Sequence, residues 1–215
     1  MADFHPPQLR PRVVAACVLA TVVGTLGIAV VDPWSRAHGA RLAGAAAALP
    51  VAAQALLDVG LWLFYAGFVV ALVLGLWRRR RAWIETVAVY VAAELTFAAG
   101  LVRLLKIACG RPRPYVGAVD WSCWTLVSDF HSLPSGHAAD VMVGFAVVEI
   151  VARARWIKWL VGLIAVASMT ARVLQGQHYL SDVALGGLVG YLGGLAGIAL
   201  LRRWRTSRMG PITYN

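Results

Sequence analysis

The chain has 215 residues, of which 60% are hydrophobic and only 14% charged, with a formal net charge of +10. A soluble domain carries about 25% charged residues, so this composition excludes an ordinary soluble protein and indicates an integral membrane protein. The basic residues lie in clusters beside apolar runs and not along one polar face, which argues against a nucleic-acid partner. The length suits a single membrane-embedded domain over residues 1–215.

A helix that crosses a bilayer needs about 20 mostly apolar residues. The sequence has six such segments, which predicts an all-α integral membrane protein built as a six-transmembrane-helix bundle. In chain order they cover residues 13–31, 56–77, 83–105, 136–152, 156–174 and 183–201. Between the first two, the Ala-rich segment Gly39–Ala55 is predicted to form a short helix on the membrane surface.

Lys and Arg residues predict the orientation, because cytoplasmic connections are enriched in them. Thirteen lie at the termini and in the connections after spans two and four, against six in the remaining connections. Both termini are therefore predicted to be cytoplasmic, with the other connections at the non-cytoplasmic membrane surface. The short loops and small size favour a multi-pass protein of a bacterial inner membrane, with its site facing the periplasm or exterior.

Two stretches on that predicted outer face suit a phosphate group. The first, KIACGRPRP at 106–114, contains Lys106 and Arg113, and such cations bind phosphate oxygens by point charge and by paired hydrogen bonds. The second, PSGH at 134–137, opens the fourth span, where a helix N-terminus offers free N–H groups to an anion. Ser135 adds a hydroxyl to this site, or it simply caps the helix.

The remaining residues of PSGH extend the same argument. Gly136 has no Cβ and lets the backbone approach a ligand closely. His137 falls in the first helical turn, where it would face a bound anion, although a structural histidine at a helix end is the simpler alternative.

The third stretch, RVLQGQHYLSD at 172–182, adds Arg172, His178 and Asp182. The spacing of four residues between His178 and Asp182 places them on one face if the segment is helical. A carboxylate in that position fixes the tautomer of an imidazole and makes it a better nucleophile. A structural Asp–His hydrogen bond is the alternative.

Taken in order, K-x6-R-P, P-S-G-H and R-x5-H-x3-D resemble the three motifs of the type 2 phosphatidic acid phosphatase family, which shares its site with vanadium haloperoxidases. The resemblance covers about residues 83–201. It implies that His178 attacks phosphorus and forms a phosphohistidine, that Asp182 orients it, and that His137 protonates the leaving alcohol and then activates water. It further implies that the phosphoryl oxygens are held by Lys106, Arg113, Ser135, Gly136 and Arg172, with no metal or other cofactor.

The expected function is hydrolysis of a phosphomonoester or pyrophosphate of a membrane lipid. Candidate substrates are phosphatidylglycerol phosphate, phosphatidic acid, undecaprenyl pyrophosphate and the phosphates of lipid A. Two alternatives stay open: a lipid-to-lipid phosphotransferase that uses the same site, and a non-catalytic transporter or lipid-binding protein. The apolar spans exclude a soluble haloperoxidase.

Three further features of the sequence leave alternatives open. Ala171 stands where the family has Ser before the motif arginine, so a hydroxyl is either missing or supplied by Thr170 or water. Cys109 and Cys123 flank one loop, either as a disulfide or as free thiols. The last span repeats glycine every four residues, which favours close packing inside the bundle over a homodimer interface.

Overall fold

The computed structural model describes residues 9–49, 51–117 and 120–209, and these residues form helices and connections without any strand. The helices are α1 (Leu9–Leu26), α2 (Asp32–Ala47), α3 (Val51–Trp77), α4 (Arg81–Ala93), α5 (Val102–Cys109), α6 (Gly136–Val151), α7 (Arg155–Leu174) and α8 (Leu180–Met209). The predicted all-α membrane fold is confirmed, because five segments are long and apolar enough to cross a bilayer. These segments are Pro11–Ala47, Asp58–Trp77, Arg81–Val116, Arg155–Leu174 and Leu180–Ser207.

Helix α6, the fourth predicted span, is shorter than the others. Its 16 residues extend about 24 Å at 1.5 Å per residue, less than the roughly 30 Å of a hydrocarbon core. Much of its surface is covered by protein, with Ala138, Val141 and Val147 among its fully buried residues. This helix is therefore the central element of the bundle, and a span count of six stays a prediction.

The N-terminal part of the chain forms one long helical rod over residues 9–47. A π-helical turn, Gly27–Val31, joins α1 to α2 without a break, and Pro33, which has no N–H to continue the ladder, lies at this junction at the start of α2. The prediction of a separate surface helix over Gly39–Ala55 is therefore wrong, since its two ends belong to α2 and α3. Pro50, within that segment, lies outside the described residues.

A second rod, over residues 81–109, positions the first motif. The π-helical segment Glu94–Leu101 joins α4 to α5. Gly110 then ends the rod with a φ of +58°, and a Cβ there would overlap the backbone of Ser122. Only glycine fits this left-handed, crowded position. Lys106 is thereby held in the last helical turn, and the RPRP segment leaves the helix directly after it.

Helix α8 packs against α6 through its glycines. A Cβ on Gly186 or Gly190 would overlap backbone atoms of Ser135 or Ala139 respectively. On the adjacent face, Gly193 lies against the ring of Phe97. These contacts confirm the interpretation of the glycine repeat as packing within the bundle, because small residues let helix backbones approach closely.

We expect Gly190→Ala to lower the thermal unfolding midpoint of the detergent-solubilised protein, because the added methyl group forces α6 and α8 apart. Overpacking of this kind costs about 1–3 kcal/mol. Gly67→Ala is the matched control, since no atom lies within 4 Å of its added Cβ and alanine is the better helix former. Equal midpoints for the two variants would contradict the packing described above.

Candidate active site

The three predicted motif stretches meet at one end of the bundle. The Lys106 ammonium group donates to the backbone carbonyl of His131 at 2.8 Å, which ties the end of α5 to the loop before α6. The backbone N–H of Ser135 donates to the carbonyl of Asp182 at 3.0 Å, which ties the start of α6 to the first turn of α8. These contacts bring the ends of α5, α6 and α8 together.

His178 is buried, with only 3% of its surface exposed. Its Nδ1 lies 2.9 Å from the backbone carbonyl oxygen of Ser132. A carbonyl oxygen can only accept, so Nδ1 carries the hydrogen, and the lone pair of the neutral ring is on Nε2. The nearest oxygen of Asp182 is 3.8 Å from Nδ1, too far for a hydrogen bond. The group that directly fixes the tautomer is therefore the Ser132 carbonyl.

Asp182 acts on this arrangement through its neighbours. Its Oδ2 accepts from the Ser132 hydroxyl at 2.5 Å and from the backbone N–H of Tyr179 at 2.9 Å. Its Oδ1 accepts from the Arg111 guanidinium at 2.6 Å. The carboxylate is fully buried and cannot be hydrated, and these three donors compensate its charge. It holds Ser132, whose carbonyl in turn orients His178.

Burial lowers the pKa of His178 to about 4, since a charged imidazole loses its hydration there. The negative charge of Asp182 opposes this shift, and the positive charges of Lys106 and Arg113 add to it. His178 is therefore neutral at physiological pH, which is the state that a nitrogen nucleophile requires.

Two of the predicted phosphate-binding cations lie close to both histidines. Lys106 and Arg113 are within electrostatic range of His137 as well as His178. Arg113 also donates to the Gln177 side-chain oxygen at 2.6 Å, beside His178 in the α7–α8 connection. Both cations therefore act on the two imidazoles, and together they favour an anion in this part of the site.

Arg172, the third predicted phosphate-binding cation, has different neighbours from Lys106 and Arg113. Its side chain is buried in the last turn of α7 and pairs with Asp58 of α3. Both residues line a cavity of about 240 Å³ that also includes Gln175 and Gln177. The Arg172 carbonyl accepts from the His178 N–H at 3.3 Å, so the residue also closes the turn that carries the histidine. Its guanidinium is therefore paired with a carboxylate that an incoming phosphate would compete with.

In the PSGH stretch, Ser135 takes the second of its two predicted roles, as the cap of a helix. Ser135 is fully buried and its hydroxyl accepts from the N–H of Ala138 at 3.4 Å, so it caps α6. The Cβ position of Gly136 lies 3.8 Å from the Lys106 side chain, and His137 follows in the first turn. The free N–H groups of this turn carry a partial positive charge that favours an anion.

The open questions about Ala171 and the cysteines are partly answered. The Thr170 hydroxyl donates to the Val166 carbonyl at 2.9 Å on an exposed face, so it does not replace the missing serine. Cys109 and Cys123 are free thiols, and the Cys123 sulfur lies 3.4 Å from the carbonyl oxygen of Cys109.

The fold is that of a membrane-embedded all-helical protein, and the histidines and cations of its three motifs lie at one end of it. The model of the PAP2 superfamily matches residues 87–206, which is more than half of the chain. The chain therefore belongs to the PAP2 superfamily, and the resemblance to type 2 phosphatidic acid phosphatases is confirmed. Members of this superfamily are phosphatases, which supports a phosphoric monoester hydrolase. No curated protein and no solved structure matches the chain.

Ser132 and Asp32 are parts of the site that were not among its predicted residues. Ser132 acts through its backbone carbonyl as well as its hydroxyl, and a carbonyl has no sequence signature. Asp32 was visible as the carboxylate directly after the uncharged run Val13–Val31, and an ionisable residue at a membrane boundary is a reason to look for a partner.

We expect Asp58→Asn to lower the inhibition constants of inorganic phosphate and vanadate severalfold, because it releases Arg172 for an incoming anion. Glu85→Gln is a matched control, since Glu85 pairs with Arg81 and Arg205 among residues far from the motifs. Titration of activity with vanadate in detergent measures the effect. A higher inhibition constant in Asp58→Asn would show instead that Asp58 aims Arg172 at the substrate.

Proposed function

We propose that this protein is a metal-independent phosphatase that hydrolyses a phosphomonoester or pyrophosphate of a membrane lipid through a phosphohistidine on His178. The observation that carries the proposal is the presentation of His178: a neutral ring with its hydrogen on Nδ1 and its lone pair on Nε2. The positive charges of Lys106 and Arg113 act on His178, and in this proposal they hold the phosphoryl group for attack. Catalysis then consists of positioning and charge stabilisation.

In the first step, Nε2 of His178 forms a bond to phosphorus while the bond from phosphorus to the leaving oxygen breaks. His137 donates a proton to that oxygen, so the lipid leaves as a neutral alcohol, or as a lipid monophosphate if the substrate is a pyrophosphate. The hydrogen stays on Nδ1, which donates it to the Ser132 carbonyl in a hydrogen bond, and Asp182 stabilises the positive charge that develops on the ring.

In the second step, His137, now neutral, accepts a proton from a water molecule, whose oxygen attacks phosphorus. The bond between phosphorus and Nε2 of His178 breaks, and inorganic phosphate leaves. Both histidines return to their starting states, so the cycle is balanced without any other reactant. Arg172 is proposed to join Lys106 and Arg113 on the phosphoryl oxygens once a substrate competes with Asp58.

A lipid substrate is supported by the surface around the site. The loop that leads to PSGH exposes large apolar side chains, including Trp121, Trp124 and Leu126, with 50%, 80% and 75% of their surfaces exposed. Tryptophan is enriched where protein meets the membrane interface. We propose that this loop rests on the non-cytoplasmic surface of a bacterial inner membrane, with both termini cytoplasmic.

The test is release of inorganic phosphate by purified protein from mixed micelles that contain one lipid phosphate at a time. We expect turnover of at least one lipid in the presence of EDTA, and inhibition by vanadate. A labelled acceptor lipid in the same assay separates hydrolysis from phosphotransfer. Absence of turnover and of phosphoenzyme across a panel of lipid monophosphates and pyrophosphates would overturn the proposal.

The low pKa of His178, about 4, predicts that the enzyme stays active well below pH 6.5. A histidine with a lowered pKa loses its lone pair only when the pH falls through that lower value, so the acid limb of kcat/KM should lie there. The substrate itself also titrates, because the second ionisation of a phosphate ester lies near pH 6. This ionisation must be measured on the substrate alone, and the kcat/KM profile must be corrected for it. An enzyme limb at pH 6.5 or above would contradict the neutral buried histidine.

A further inference from the structure

Asp32 lies on the N-terminal rod, outside residues 87–206 that the superfamily model matches. Its side chain nevertheless reaches the site. The π-helical turn Gly27–Val31 ends directly before it, and the extra residue in such a turn rotates the helix face that follows. Gly27 permits the approach, because its Cβ position lies 2.9 Å from the backbone nitrogen of Ser181 at the start of α8. Asp32 is 3% exposed as a result.

Asp32 and Asp182 share one guanidinium group. Arg111 donates from Nη2 to Asp32 at 2.9 Å and from Nη1 to Asp182 at 2.6 Å. The Ser181 hydroxyl donates to Asp32 at 2.5 Å and accepts from Arg111 at 2.7 Å, so it joins the two ion pairs. The Arg111 guanidinium is also stacked 4.0 Å from the ring centre of Tyr179, which fixes its position.

The two carboxylates, Asp32 and Asp182, and the single guanidinium of Arg111 together carry one net negative charge beside His178. A guanidinium paired with Asp182 alone would cancel the carboxylate that stabilises the ring during attack. Because Asp32 binds the other side of Arg111, the guanidinium neutralises Asp182 only in part. The remaining negative charge of Asp182 acts on His178, whose Nδ1 is 3.8 Å away. At such distances in a dry site, charges interact strongly.

Resting on the proposed function, we infer that Asp32 and Arg111 are positioning residues for the phosphohistidine step. Arg111 fixes the Asp182 carboxylate, and Asp32 sets the net charge that Asp182 presents to His178. The N-terminal rod is thereby part of the catalytic apparatus and not only a membrane anchor. Neither residue touches the substrate, so both act through Asp182.

The test compares steady-state kinetics and pH profiles of Asp32→Asn and Arg111→Gln in detergent. Asp32→Asn should lower kcat roughly tenfold, within the range of couplings between contacting residues, and leave KM almost unchanged. Its acid limb of kcat/KM should move to lower pH, because removing a negative charge disfavours protonated His178. Arg111→Gln should move the limb the opposite way, because it removes a positive charge. Both variants leave in place the other charges that act on His178, which are those of Lys106, Arg113 and Asp182.

A double-mutant cycle keeps the test decisive if Arg111→Gln does not fold. If Asp32 acts through Asp182, Asp32→Asn should have little further effect on kcat in the Asp182→Asn background. Glu149→Gln is the matched control, because Glu149 binds Arg12 of the same N-terminal rod at 3.1 Å, but near the far end of α6. We expect this control to retain wild-type kcat and pH dependence.

Two results would overturn the inference. The first is a wild-type kcat in Asp32→Asn. The second is a loss of kcat in Asp32→Asn that is just as large in the Asp182→Asn background, with the acid limb of kcat/KM unshifted in Asp32→Asn. The proposed function fails separately, by retained phosphate release in His178→Ala. An inactive His178→Ala together with an unaffected Asp32→Asn would therefore reject only the role of the N-terminal rod.

Discussion

Replacing His178 with alanine should lower kcat for phosphate release by roughly three orders of magnitude or more, the scale seen when a covalent nucleophile is removed. The variant should still bind the lipid, because Lys106 and Arg113 remain in place. KM should therefore change little compared with kcat. Release of inorganic phosphate from mixed micelles measures both values.

His38→Ala is the control for this experiment. His38 lies on α2, is half-buried, and makes only local contacts, with Trp34, among those that the structure gives. We expect it to retain wild-type turnover, so that loss of an arbitrary histidine is excluded as the cause. A His178→Ala protein that keeps more than about a tenth of wild-type kcat would contradict a nucleophilic role.

Asp182→Asn should impair both catalysis and folding. Loss of the carboxylate that supports a catalytic imidazole costs about a hundredfold or more in kcat. The same change takes one of two carboxylates from the buried Arg111, and breaking a buried ion pair costs about 3–5 kcal/mol. We expect a clearly lower unfolding midpoint in detergent together with the loss of turnover.

Asp129→Asn separates these effects from a general loss of negative charge on the same face. Asp129 is exposed in the loop before α6 and accepts from the Tyr115 hydroxyl at 2.8 Å, so its replacement should leave the midpoint within about 0.5 kcal/mol of wild type. An Asp182→Asn protein as stable and as active as Asp129→Asn would show that Asp182 has neither role.

Much of the site was predictable because its residues follow helix ends. Lys106, Ser135 and Asp182 each lie within a turn of a helix terminus, and hydropathy locates such termini well. The boundaries of the last four predicted spans accordingly lie within a few residues of the observed helices, apart from the longer C-terminal end of α8. Residue type and spacing then indicate which ends face a phosphate.

The parts that were not predictable depend on tertiary contacts. Hydropathy ends the first span at Val31, but the rod continues to Ala47, because α2 packs against the RPRP segment, with Gly39 directly on the backbone of Pro114. The spacing of His178 and Asp182 suggests a direct bond, but the Ser132 carbonyl takes that position. The pairing of Arg172 with Asp58 joins α7 to α3 and has no local signal.

The most direct test of the account is to trap the covalent intermediate. Wild-type protein and His137→Ala are mixed with a lipid carrying labelled phosphate and quenched with alkali, which preserves phosphohistidine, and the labelled peptide is identified. We predict a label that is stable to alkali, labile to acid and located on His178 in both proteins, because His137 transfers protons in both steps and is not the nucleophile. Turnover without such a label, or a label on another residue, would contradict it.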